Sequence, residues 1–95
     1  MFTIISYDVV QDRRRTRVAK LLEGYGTRVQ YSVFECDLDQ AQLVALGEQL
    51  RLLIDVSTDS VRCYLLDALA VQRIRIVGIG QVTVHPSFYF VRAQR

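Results

Sequence analysis

Nothing in the 95-residue chain reaches the roughly 18 consecutive apolar residues that a membrane-spanning helix requires, and no basic stretch precedes the apolar opening Phe2-Thr3-Ile4-Ile5. Neither a membrane span nor a signal peptide is expected, and the chain reads as cytoplasmic with no membrane partner. Histidine occurs once, as His85 just before Pro86, so a histidine general base is not expected. The two cysteines, Cys36 and Cys63, are far apart, form no C-x-x-C pair and lie within apolar strand patterns. They read as buried free thiols rather than as a metal site or a disulfide. Internal repeats and low-complexity segments are also missing.

What is present fits one small domain. Hydrophobic residues make up 51% of the chain, yet a domain of this size buries only about 60–65% of the surface its unfolded form exposes. A second subunit would relieve so marginal a core. The formal charge of +2 conceals a local excess: residues 13–28 hold Arg13, Arg14, Arg15, Arg17, Lys20 and Arg28 against Glu23 alone, a local +5 that leaves −3 for the rest. A basic patch on a nearly neutral protein is the electrostatic footprint expected for a polyanion such as DNA or RNA.

Residues 2–8 form the first expected strand, with Phe2, Ile4 and Ser6 on one face and Thr3, Ile5 and Tyr7 on the other. Both faces are largely apolar, which suits a central strand. Asp12 is expected to cap the next helix, whose Val18, Leu21, Leu22 and Tyr25 keep core-facing spacing before Gly24 and Gly26 end it. Arg13, Arg17 and Lys20 follow the same spacing on another face and form an outward stripe. Two short strands follow, 28–30 and 32–38, with a turn or bulge near Tyr31. Asp39-Gln40-Ala41-Gln42 opens a second helix in capping-box fashion, with Leu43, Leu46, Leu50, Leu53 and Ile54 at helical spacing. A polar loop over 55–60, a strand over 61–66, a short helical turn over 67–72 and a fifth strand over 74–79 complete the order. This is an α+β, ferredoxin-like β-α-β-β-α-β plan with an added C-terminal strand, expected as a homodimer. Residues 1–80 form the domain; 81–95 form an apolar tail expected to pack on the partner subunit.

Asp8 ends the first strand four residues before the arginine-rich helix. Strand ends hold side chains rigidly at the edge of a cleft, so a metal-binding acid beside a phosphate-binding surface is one reading; a strand-terminating Asp beside a solvated helix is the other. Positive charges in the first turn oppose the helix dipole, at about 0.3–1 kcal/mol each when exposed. A phosphate near that helix start would turn this liability into an attraction.

Tyr7-Asp8, the arginine-rich helix start, the run Gly26-Thr27-Arg28-Val29-Gln30-Tyr31-Ser32-Val33-Phe34-Glu35, and the later Asp59-Ser60-Val61-Arg62-Cys63-Tyr64 and Ile76-Val77-Gly78 together closely resemble the small CRISPR-associated Cas2 family. The resemblance spans the chain to about Gly80. It implies a homodimer that partners the CRISPR integrase in spacer acquisition, a part of antiviral defence, and that in several members acts as a metal-dependent endonuclease on single-stranded RNA or double-stranded DNA. It assigns Asp8 of both subunits as catalytic and as the ligands of one shared Mg2+ (or Mn2+). It also implicates Arg15, Arg17, Arg28 and Phe34.

Other residues have plainer explanations beside the functional ones. Tyr7 and Phe34 suit the core or an interface, Arg28 suits an edge strand, and Asp37, Asp39, Asp55, Asp59 and Asp67 suit loops, caps and strand ends. Asp59 is the next acidic candidate after Asp8. Three functions remain in competition: a nuclease using paired Asp8, a non-catalytic DNA-binding adaptor bridging integrase subunits, and a toxin-type endoribonuclease of the virulence-associated D family. An RNA-recognition module is disfavoured, since no strand carries a Lys/Arg-Gly-Phe-Gly-Phe-Val-like motif.

Overall fold

A computed structural model describes residues 1–83 of the chain. In order they form β1 (Phe2–Asp8), α1 (Asp12–Glu23), β2 (Gly26–Gln30), β3 (Val33–Asp37), α2 (Gln40–Leu53), β4 (Ser60–Leu66) and the short α3 (Ala68–Gln72). The four strands make one sheet in the order β2-β3-β1-β4, with every neighbouring pair antiparallel. β1 is central, as its two apolar faces require. This is the expected α+β, ferredoxin-like arrangement.

One face of the sheet carries the main core. Ile5 and Tyr7 of β1 and Phe34 and Cys36 of β3 meet Val18, Ala19 and Leu22 of α1 and Leu46 and Leu50 of α2. The Asp39 carboxylate accepts from the Gln42 backbone N–H while the Gln42 side chain accepts from the Asp39 N–H, the reciprocal cap expected from the sequence. The other face is only partly covered: Phe2 packs with Val71 and Val82, flanked by Ile4, Leu66 and Ile74. Ser6 and Asp8 continue the Phe2–Ile4 alternation along that side.

Three expectations are corrected. Residues 74–79 form no strand; Gly78 and Gly80 adopt positive φ of 98° and 150°, which breaks the extended run. Val77 and Ile79 are fully exposed, and among the described residues no strand offers their backbone a ladder to join. Asp12 does not cap α1. The N-cap is Gln11 without a side-chain bond, and Asp12 sits inside the first turn, paired with Arg15. Cys63 is exposed and only Cys36 is buried, because β4 is an edge strand that the helices cover incompletely. The apolar tail expected on a partner begins with Val82 buried on this chain's own Phe2, and the Thr83 N–H donates to Glu35 at 2.8 Å. The remainder of the tail, with His85, lies outside the described residues.

Candidate active site and nucleic-acid interface

The β1–α1 loop is held by two arginines. Arg14 reaches away from the cleft and donates through Nε and Nη2 to Asp59, at 2.8 and 3.2 Å. The Asp59 side chain is fully buried and also accepts from the N–H groups of Val10 and Asp55 and from the Thr58 hydroxyl. The guanidinium of Arg14 and these donors hold the Asp59 carboxyl well below the usual carboxylate range. Asp59 is therefore a structural anchor, and Arg14 is its partner rather than an outward phosphate ligand. Arg15 turns the other way: Nε and Nη2 donate to the carbonyls of Val9 and Val10 at 3.0 and 3.1 Å, and Nη1 pairs with Asp12.

Between these clamps Asp8 is presented at the end of β1. Its side chain is exposed, and it borders a cavity of about 180 Å³ lined by Tyr7, Val9, Arg15, Tyr31 and Ser32. No side chain among the described residues hydrogen-bonds it, so its oxygens stay available. A second, larger groove of about 290 Å³ runs between α1 and the β2 edge, with Arg15, Thr16, Lys20, Glu23, Arg28 and Tyr31 on its walls. Arg15 and Tyr31 border both.

Tyr7 is buried at 4% exposure. Its hydroxyl donates to the Tyr31 carbonyl and accepts from Arg28 Nη2, each at 3.3 Å. Arg28 Nε also donates to the Tyr31 carbonyl, at 3.0 Å. The Arg28 guanidinium lies 5.4 Å from the Tyr31 ring centroid and 5.5 Å from that of Phe34, and Phe34 stacks with Tyr7 at 6.4 Å. Tyr7 and Phe34 are thus the buried support of the hairpin that carries Arg28. Arg13 and Arg17 stand on the outer face of α1, exposed and without side-chain partners among the described residues. The structure brings Asp8, Tyr7, Arg15, Lys20 and Arg28 to one side, leaves Arg13 and Arg17 on the adjoining helix face, and removes Arg14.

The sequence marks Tyr31 only as a turn. Its signal was an aromatic residue, 71% exposed, at a hairpin tip between Arg28 and Phe34.

A lone carboxylate cannot enclose a cation, and no group of three or more acidic, histidine or cysteine side chains suitable for a metal occurs among the described residues. Asp8 oxygens are nonetheless the hard donors that Mg2+ or Mn2+ takes, with water and phosphate filling the remaining positions. The donor set fits such an ion when a second chain contributes its own Asp8.

The likeness to known proteins extends over the same region. A profile of the family described as CRISPR associated protein Cas2 matches residues 1–74. The CRISPR-associated endoribonuclease "Cas2 3" of Chloroflexus aurantiacus is 57% identical over 91 residues, 96% of this chain and 98% of that protein. The crystal structure of Streptococcus pyogenes Cas2 superposes with a TM-score of 0.73 at 40% identity, covering 82% of this chain and 100% of that one. A chain of a partial Cas6-RT-Cas1–Cas2 complex matches with a TM-score of 0.71 at 28% identity, covering 80% of this chain and 89% of its own length. This sets aside the toxin-type alternative: with its β1 carboxylate, arginine-bearing α1 and β2–β3 hairpin in these positions, the chain belongs to the CRISPR-associated Cas2 family.

Proposed function

We propose that this protein is a homodimeric endonuclease of CRISPR spacer acquisition that hydrolyses phosphodiester bonds with a divalent ion held by Asp8 of each subunit. The observation that carries the proposal is the unengaged Asp8 carboxylate, fixed at a strand end beside a basic groove. The name of the Chloroflexus relative, an endoribonuclease, supports nucleic-acid cleavage. The likeness to a chain found in a complex with Cas1 supports a CRISPR integrase as partner.

Arg28 and Lys20 bind backbone phosphates along the groove, and Arg13 and Arg17 extend the positive surface around α1. Arg15 holds the carbonyls after Asp8 and thereby fixes where that carboxylate points. Asp8 of both subunits would hold the Mg2+, whose chemistry there would be Lewis-acid polarisation of the scissile phosphate and a lowered pKa for a bound water. The guanidinium groups offset the charge that develops on the phosphorus oxygens, so no covalent nucleophile is required.

The test compares wild type with Asp8→Asn on single-stranded RNA and double-stranded DNA, with Mg2+ and with chelator. Wild type should cut only with the ion, and Asp8→Asn should lose at least about 100-fold in rate, the scale of a lost charge-stabilising or proton-transferring group. Dimerisation and melting temperature should be unchanged, since the Asp8 side chain bonds to none of the described residues. Equal cutting by both proteins, or none, would overturn the nuclease reading and leave a dimer that binds DNA as an adaptor.

A further inference from the structure

The groove beside Asp8 has an aromatic wall that phosphate binding does not require. Tyr31 projects from the two-residue turn between β2 and β3 and remains 71% exposed. Its backbone, not its ring, accepts the hydrogen bonds of Tyr7 and Arg28. The Arg28 guanidinium covers one face of the ring, and Phe34 backs that guanidinium from within the sheet. Tyr31 also stands beside Arg15 on the walls of both cavities. The ring is therefore positioned from two sides, with its remaining surface facing solvent.

Its location gives the ring a use. Tyr31 borders the 290 Å³ groove and the Asp8 cavity alike. Glu23 closes part of the groove; its carboxylate repels a phosphate there but can accept from an N–H on a base edge. Lys20, Arg15 and Arg28 supply the flanking positive charge. Aromatic faces bind unpaired bases regardless of sequence, because every base offers a π-face, whereas bases within a duplex keep theirs stacked on one another.

We propose that Tyr31, stiffened by Arg28, is a stacking platform for one unpaired nucleobase, which seats a single strand with its neighbouring phosphate beside Asp8. This deepens the nuclease reading and rests on it for the phosphate's fate: the platform selects single-stranded substrate, and Asp8 acts on what the platform delivers.

The experiment uses the full chain in chelator, so that cleavage plays no part. A short single-stranded oligonucleotide carrying 2-aminopurine is titrated with wild type, Tyr31→Phe and Tyr31→Ala, alongside a duplex of the same length. Stacking should quench 2-aminopurine fluorescence with wild type and Tyr31→Phe. Tyr31→Ala should lose the quenching and bind the single strand roughly 10- to 100-fold more weakly, the range expected for one base–aromatic stack, with duplex affinity unchanged. The variant keeps its backbone bonds, so an unaltered melting temperature verifies its fold. Persistent quenching in Tyr31→Ala, or equal weakening for strand and duplex, would overturn the platform while leaving Asp8 cleavage open. Quenching by a protein that cuts nothing would support the platform and remove only the nuclease reading. Failure to bind either nucleic acid would overturn both.

Discussion

Protonating Asp59 would remove the charge that the Val10 and Asp55 N–H groups and Arg14 share and turn one of its acceptor oxygens into a donor, all at one buried carboxyl. Its pKa in the folded protein lies well below the roughly 3.9 of an unfolded aspartate. The folded state therefore prefers the ionised form, and the stabilisation is fully present above about pH 4 and lost as pH falls below it. Wild type should melt at a distinctly higher temperature at pH 7 than at pH 3. Asp59→Asn should melt lower at pH 7, by more than about 5 °C, and show a flatter acid dependence. A thermal series across pH checks both, and an unchanged slope in the variant would remove the assignment. Sequence alone marks Asp59 as a candidate acid because its partner Arg14 lies 45 residues away, and no local pattern links the two. Asp8, by contrast, was legible: strand length and the position of the helix place it at an edge. By the same reasoning Cys36 is chemically quiet, since burial pushes its thiol up to about 11.

At the scale of elements, two glycines differ in what surrounds them. A Cβ at Gly26, where β2 opens, would lie 2.3 Å from the Glu35 carbonyl oxygen and 2.5 Å from Cys36 Sγ. The β2–β3 pair can approach only because that atom is absent. Gly47, inside α2, would meet nothing within 4 Å. Gly26→Ala should cost about 1–3 kcal/mol through overpacking, whereas Gly47→Ala should stabilise by up to about 1 kcal/mol through helix propensity. Urea unfolding of both variants checks the opposite signs. Elements whose causes are local were read correctly from the sequence: the α1 core spacing, the Asp39–Gln42 cap, and a hairpin turn near Tyr31, although Ser32 belongs to that turn and not to the strand. The strand expected at 74–79 was not, because a strand is completed by its neighbour. Its β-rich composition says nothing of whether an edge is within reach or whether two glycines turn the chain away.

At the scale of the whole molecule, the described residues cover one side of the sheet only in part. Among the described residues Tyr64 stands half-exposed, Ile76 is nearly so, and Val77 and Ile79 are fully exposed. The second subunit proposed above would cover such exposed apolar residues, and pairing of these faces would bring two Asp8 carboxylates together. Sedimentation should therefore show wild type as a dimer at micromolar concentration and the double variant Val77→Glu/Ile79→Glu as a folded monomer; a monomeric wild type or a dimeric variant would contradict this. The basic surface, seen whole, is less uniform than its composition. Arg14 and Arg15 spend their planar forks on a buried carboxylate and on two backbone carbonyls, geometry that an ammonium cannot reproduce. Arg13 and Arg17 contribute charge alone. A lysine in place of Arg14 or Arg15 would lose that geometry, whereas in place of Arg13 or Arg17 it would keep the charge, so neighbouring letters of one arginine run meet different chemical demands.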